Sequence, residues 1–261
     1  MFTINKDKCI KCGKCLEVCP FTCITMENEY PEMKAEKRKA CMKCLHCAAI
    51  CPVEALEFSD RPCEKEPVQN PGETTYAETK NLMLSRRSKR NFNNTPVPEE
   101  DIREIIRISD FAPSAKNQHP QNWVVVHEQS KVEKVMDLVV EWVKANQISL
   151  EILSELENSN NIVTFNAPHL ILGCAPGVGK INPYTDTTIA LTEIDLLLHA
   201  KGIGACWAGY LTRIINASKD IKELLGIGEE MQVFGALAFG YSEGEDYLRL
   251  PYKVKSKIDW K

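Results

Sequence analysis

No stretch of the 261 residues is apolar for long enough to cross a bilayer, which excludes a membrane-spanning helix. The N-terminus, MFTINKDKCI, has no apolar segment before its first cysteine and does not read as a signal peptide. Neither sign of charge dominates: 32 Lys and Arg stand against 36 Asp and Glu, a formal net charge of −4. A slightly acidic chain is a poor general binder of nucleic acid. These absences point to a cytoplasmic protein, in a reducing compartment, with neither membrane nor nucleic acid as a partner. Nucleotide motifs are also lacking. GCAPGVGKI (173–181) has no glycine at the P-loop distance before Gly179–Lys180, and Ile181 stands where Ser or Thr is needed. GIGACW (202–207) starts like a dinucleotide fingerprint and ends on Trp207. Cysteine itself is nearly missing after residue 63, where only Cys174 and Cys206 remain.

The other ten cysteines are Cys9, Cys12, Cys15, Cys19, Cys23, Cys41, Cys44, Cys47, Cys51 and Cys63. Eight of them form two runs, CIKCGKCLEVCP (9–20) and CMKCLHCAAICP (41–52), each C-x2-C-x2-C-x3-C-P. In a reducing compartment, clustered cysteines suggest metal before disulfides. Zinc accepts two C-x2-C pairs, but it does not ask for four cysteines in one tight run followed by proline. The run matches the bacterial two-cluster ferredoxin pattern, in which three close thiolates hold one [4Fe–4S] cube and the fourth cysteine ligates the other. On that rule Cys9, Cys12, Cys15 and Cys51 hold one cluster, and Cys41, Cys44, Cys47 and Cys19 hold the other. Pro20 and Pro52 set the chain direction after each fourth ligand. Gly13 is expected to let backbone approach the first cube. Cys23 and Cys63 fall outside the pattern and read as packing residues or free thiols. His46 and the basic stretch KAEKRK (34–39) read as solvated loop. Residues 1–60 thus resemble a bacterial-type 2[4Fe–4S] ferredoxin, a module that moves single electrons and makes no product.

A boundary is expected after residue 60. RPCEKEPVQNPGETTYAETK (61–80) reads as a linker, broken by Pro62, Pro67, Pro71 and Gly72. Residues 81–261 form the second domain. Residues 96–112 read as a helix with acids in its first turn and Ile102, Ile105 and Ile106 on one face. WVVVHE (123–128) reads as a strand. Residues 130–143 read as a helix, with Ser130 and Glu133 at capping-box spacing. HLILGCA (169–175) and MQVFGALAFGY (231–241) read as buried strands. Residues 185–202 read as a long apolar helix ending at Gly202. The fold class is α+β, with helices packed on a sheet.

SRRSKRNF (85–92) puts Arg86, Arg87, Ser88 and Arg90 in one short segment, a set of donors suited to a phosphate dianion. APSAKNQHPQNW (112–123), GIGACWAGYL (202–211) and YLRLP (247–251) follow in that order. Together these stretches resemble the FMN-dependent nitroreductase family over about residues 80–261. The resemblance implies a nitroreductase-like α+β fold and a homodimer with FMN at its interface. It places Arg86, Arg87, Ser88 and Arg90 around the FMN phosphate, with Arg249 as a distant cation and Lys89 facing solvent. Pro113, Ser114, Ala115 and Asn117 reach the flavin from the partner subunit. Ala208 and Gly209 set a backbone N–H near flavin N5, and the 185–202 helix is buried between subunits. His119 stands where many family members have Gln.

Both resemblances together imply an oxidoreductase with FMN and two [4Fe–4S] clusters, passing electrons from clusters to flavin to a small acceptor such as a nitroaromatic or quinone. The alternatives are an NAD(P)H:FMN oxidoreductase that sends electrons outward through the clusters to a redox protein, and an electron-transfer module without a dedicated substrate.

Overall fold

The computed structural model describes residues 2–59, 63, 65, 72–147, 150–158, 160–243 and 256–261. The chain divides into two compact units, Met1–Pro71 with Lys116–Gln118, and Gly72–Ala115 with His119–Lys261.

In the first unit the strand β1 (Phe2–Ile4) is followed by the short helix α1 (Lys14–Glu17), then by β2 (Ile24–Glu27) and β3 (Tyr30–Met33). A 3-10 turn over Ala35–Ala40 leads to α2 (His46–Ile50) and β4 (Leu56–Phe58). β2 and β3 form an antiparallel hairpin, and β1 pairs antiparallel with β4, setting Phe2 opposite Phe58. The repeat is visible in the backbone. Lys11 and Lys43, Gly13 and Leu45, and Thr22 and Glu54 are matched pairs, and all six have positive φ. Gly13 (φ 74°) precedes α1 and Leu45 (φ 61°) precedes α2. Glycine relieves the left-handed strain in one repeat, whereas Leu45 bears it in the other. The conformation, rather than a missing Cβ, is what both repeats share.

The second unit opens with α3 (Glu73–Ser85), so the later part of the expected 61–80 linker is helical. Its described side chains are almost all exposed, and no apolar stripe marks it in the sequence. There follow α4 (Glu99–Ser109), β5 (Asn122–Val126), α5 (Gln129–Asn146) and α6 (Leu150–Glu157). β6 (His169–Pro176), α7 (Pro183–Ala200), β7 (Gly204–Trp207), α8 (Gly209–Ala217), α9 (Lys219–Leu225) and β8 (Met231–Gly240) complete it. The helix expected from residue 130 starts one residue earlier. Glu128 is its N-cap without a side-chain bond, so the Ser130–Glu133 capping box is not formed.

Among the described residues the strands form one antiparallel sheet in the order β5-β6-β8-β7. Both central strands are buried on both faces because helices cover each. On one side Leu170, Leu172, Ala236 and Ala238 pack with Val135 and Val139 of α5 and Leu211 and Ile215 of α8. On the other, Ile171, Leu237 and Phe239 pack with Ile105 of α4 and Leu191, Ile194 and Leu198 of α7. Strand alternation divides the two sets and helical periodicity meets each of them.

A histidine pair ties α4 to this sheet. The Val97 N–H donates to His169 Nε2 at 3.0 Å, so that nitrogen is unprotonated. His169 Nδ1–H then donates to the His127 carbonyl (2.7 Å), and His127 Nε2–H donates to the Val97 carbonyl (2.7 Å). The rings stack at 4.6 Å. Burial holds the His169 pKa below its ordinary value of 6.5. The unfolded chain takes up this proton below about pH 6.5, while the folded chain resists it to lower pH. The resulting stabilisation is complete above that pH and is lost as pH falls through the folded pKa. Replacing His169 with Phe keeps a ring and removes both nitrogens, which is expected to cost roughly 1–3 kcal/mol near neutral pH. It should also flatten the acid limb of the urea midpoint followed by tryptophan fluorescence. An unchanged acid limb contradicts the assignment.

Candidate functional site

The first unit carries two cavities ringed by sulfur. Cys9, Cys12, Cys15 and Cys51 line one, together with Ile4, Val53 and Ala55. Cys19, Cys41, Cys44 and Cys47 line the other, together with Phe21, Cys23 and Phe58. Each cavity therefore draws three cysteines from one repeat and the fourth from the other. Backbone N–H groups point at several of these sulfurs. Lys11 donates to Cys9 Sγ (3.4 Å), Cys23 to Cys19 Sγ (3.2 Å) and Ala55 to Cys51 Sγ (3.3 Å).

Among the described residues no three His, Cys, Asp or Glu side chains converge closely enough to ligate a single ion. The sulfurs surround a volume instead, which suits a multi-iron cube better than one tetrahedral zinc. Burial raises the pKa of Cys15 and pushes Cys47 up to about 12. A cationic centre held there would offset the cost of the thiolate charges. The donor set and the N–H···S bonds fit [4Fe–4S] clusters.

The basic segment of the second unit is laid along β7. Ser88 forms a parallel bridge with Ala205, and the Lys89 N–H donates to the Ala205 carbonyl at 2.9 Å. Side chains alternate along this extended stretch. Arg86 Nη1 reaches Asp195 Oδ2 at 3.5 Å. Ser88 and Arg90 both reach the buried thiol of Cys206. Lys89, expected to face solvent, is half-buried, with its Cβ and Cγ 2.9 Å from where a Cβ on Gly204 would sit. Arg87 is exposed. Arg86, Ser88 and Arg90 thus share a side, and their guanidinium and hydroxyl donors fit a phosphate monoester.

Asp195 gives no motif, yet it anchors this side. It is 4% exposed, on the apolar face of α7 between Leu191 and Leu198. Burial raises its pKa, against the opposing pull of Arg86, of the Trp207 Nε1–H that donates to Oδ2 (3.3 Å), and of His199. Ser85 Oγ in turn lies 2.8 Å from His199 Nε2. An acid at a core-facing helical position is the signal that could have found it.

β7 continues into the other expected contact. The Ala208 N–H is donated to the Ala236 carbonyl at 2.8 Å. Gly209 begins α8, where a backbone N–H has no intrahelical acceptor. Nothing lies within 4 Å of where a Cβ on Gly209 would sit, which leaves space for a ring edge. Of the two residues, Gly209 is the one with an N–H to offer.

The 112–123 stretch is held in a strained form, with positive φ at Lys116, Asn117 and His119. The Ala115 N–H donates to Asp186 Oδ1 (3.0 Å), and the His119 N–H to Ser114 Oγ (3.0 Å). Pro113 is exposed. Asn117 groups with the first unit, where its Nδ2 donates to the carbonyls of Met42 and Lys43 at 3.3 Å each. Asp186 Oδ2, Thr187 Oγ1, Trp123 Nε1 and Gln121 Oε1 are buried without a partner among the described residues. Arg249 lies outside the described residues.

Comparison with known proteins agrees with this division. The family model described as "Nitroreductase family" matches residues 83–241, and one described as "4Fe-4S dicluster domain" matches residues 1–52. A protein of Archaeoglobus fulgidus, named as an NADH dehydrogenase/NAD(P)H nitroreductase, is 30% identical over 63% of this chain and 85% of its own length. The second unit shares its fold with solved nitroreductases. One with bound FMN from Bacteroides fragilis has a TM-score of 0.58 at 22% identity, covering 69% of this chain and 95% of that one. Another with bound FMN, from Desulfitobacterium hafniense, has a TM-score of 0.59 at 18% identity, covering 69% and 98%.

Cys19 lines the cavity of the second repeat, so its loss should be felt there. Anaerobically prepared Cys19→Ala protein is expected to lose about half of its iron or more, whereas Cys174→Ala should keep all of it. Zinc in place of iron, or full iron in Cys19→Ala, contradicts the pairing.

Proposed function

Since the chain belongs to the nitroreductase family, with a 4Fe-4S dicluster domain ahead of the family's own, and is an oxidoreductase, we propose that it passes electrons from two [4Fe–4S] clusters through FMN to a small conjugated acceptor such as a nitroaromatic or quinone. The observation that carries this reading is the pair of four-cysteine cavities fused to a flavin-type fold. When bound, the flavin accepts electrons singly from iron–sulfur centres and delivers them as a pair.

The chain's own residues supply binding, orientation and electrostatics. The two cysteine sets hold the clusters. Arg86, Ser88 and Arg90 neutralise the FMN phosphate, and Asp195 keeps Arg86 from swinging into solvent. Arg87, on the other side of the extended segment, contributes less. Gly209 offers a backbone N–H toward flavin N5, and the buried Ala208 fixes where α8 begins. Pro113, Ser114, Ala115 and Asn117 act on the flavin of the partner subunit in a homodimer. The polar atoms of Asp186 and Trp123 that have no partner among the described residues find their complement in that assembly. No acid–base dyad is required, because the flavin carries the redox chemistry. The protein works in the cytoplasm.

One observation favours a second reading. The activity in the name of the A. fulgidus relative points to NAD(P)H as hydride donor. In that case electrons leave through the clusters to a redox protein.

Two measurements test the proposal. Arg86→Ala and Arg90→Ala should each weaken FMN binding by roughly tenfold or more, from the loss of a charge-assisted bond. Arg87→Ala should have a smaller effect, and riboflavin, which lacks the phosphate, should bind all variants alike. Equal FMN affinity in the three variants removes the segment from the site. Anaerobic turnover of a nitroaromatic by the holoprotein should be driven by a reduced ferredoxin. Turnover with NAD(P)H alone, together with reduction of an oxidised ferredoxin, favours the second reading.

A further inference from the structure

The two repeats differ by one sulfur at the place where they touch a fourth ligand. Aligned on their cysteines, Cys23 of the first repeat corresponds to Ala55 of the second. Both are 1% exposed. Each donates its backbone N–H to the fourth cysteine of its own repeat, Cys23 to Cys19 Sγ at 3.2 Å and Ala55 to Cys51 Sγ at 3.3 Å. Each also lines the cavity which that fourth cysteine enters. The backbone is therefore matched and the side chains are not. At Cys23 a buried thiol lines the same cavity as the sulfurs of Cys19 and Cys41. At Ala55 there is a methyl group.

We propose that Cys23 is a positioning residue that makes the two clusters inequivalent, its S–H donating to the Cys19 thiolate and raising the reduction potential of the cluster held by Cys19, Cys41, Cys44 and Cys47. The inference rests on the reading that each cysteine set holds a [4Fe–4S] cluster. Reduction adds one negative charge, shared between the cube and its sulfur ligands. A donor aimed at a ligand sulfur stabilises the reduced form more than the oxidised one. The matched backbone donors contribute equally to both sites and cancel. The other polar difference among the lining residues, Lys14 against His46, lies on exposed side chains, where solvent and salt screen it. Cys23 is enclosed, so its dipole acts in a low dielectric. An electron entering the pair settles on the second cluster.

The test is an anaerobic redox titration of the full holoprotein followed by electron paramagnetic resonance. The proteins compared are wild type, Cys23→Ala, Cys23→Ser and Ala55→Cys. Iron and sulfide counts on wild type come first and test the parent reading separately; fewer than two cubes would remove that reading. With both cubes present, Cys23→Ala is expected to lower only the higher of the two potentials. The electron's preference for the second cluster should fall about tenfold, which is 59 mV for a one-electron couple. Cys23→Ser, which keeps a donor, should recover most of this, and Ala55→Cys should raise the lower potential. Unchanged potentials in Cys23→Ala with both clusters loaded overturn the proposal. Loss of the second cluster from both Cys23 variants overturns it as well, because that would make Cys23 a ligand or a structural support.

Discussion

Cys19 leaves the first repeat to line the cavity of the second, and Cys51 does the reverse. Among the described residues the buried apolar set of this unit is Cys15, Cys23, Ile24, Ala48, Cys51, Ala55, Leu56 and Phe58, three of which are themselves sulfur-bearing. A core so small supplies little stability, and domains of this size ordinarily need a staple. Under the proposed ligation, iron bound by sulfurs from both repeats would be that staple, because neither repeat could release its cluster without freeing a ligand of the other. The left-handed residues at matched positions and the pairing of Phe2 with Phe58 bring the two repeats into a geometry where this exchange is possible.

The second unit is stabilised by other means. Its sheet is buried on both faces by helices, with the apolar area divided between two packed layers. Such a scaffold can carry a polar edge at β7 without losing its core. The basic segment, Asp195 and the start of α8 all meet along that edge. Asp195 joins its two ends, since Arg86 belongs to the basic segment and Trp207 precedes Ala208 and Gly209. A buried carboxylate shared between a guanidinium and an indole is costly unless both partners are kept in place, which restrains the edge.

Much of this is legible in the sequence, for physical reasons that differ by element. The helices at 99–109, 129–146 and 183–200 and the strands at 169–176 and 231–240 announce themselves because periodicity follows burial. The cysteine sets are legible because cluster chemistry fixes their spacing. The helix Glu73–Ser85 is hidden because it is exposed almost all round and follows a proline–glycine pair. Asp195 is hidden because its partners, Arg86 and Trp207, are distant in sequence and only the fold brings them together. The alternation that separates Arg86, Ser88 and Arg90 from Arg87 depends on the segment lying extended against Ala205, which composition does not reveal.

In the proposed function the clusters are the route by which electrons reach the flavin. Fusion to the flavin domain holds the electron module at a high effective concentration, which a separate protein does not match. The most direct measurement compares the intact chain with a chain beginning at Gly72, each loaded with FMN. Nitroaromatic reduction is driven first by a small reductant that reaches the flavin itself, and then by a reduced ferredoxin. The shortened chain is predicted to retain the first activity and lose the second, with only part of it returning when residues 1–71 are added as a separate protein. Ferredoxin-driven reduction at the same rate in both chains would show that the clusters are not the route.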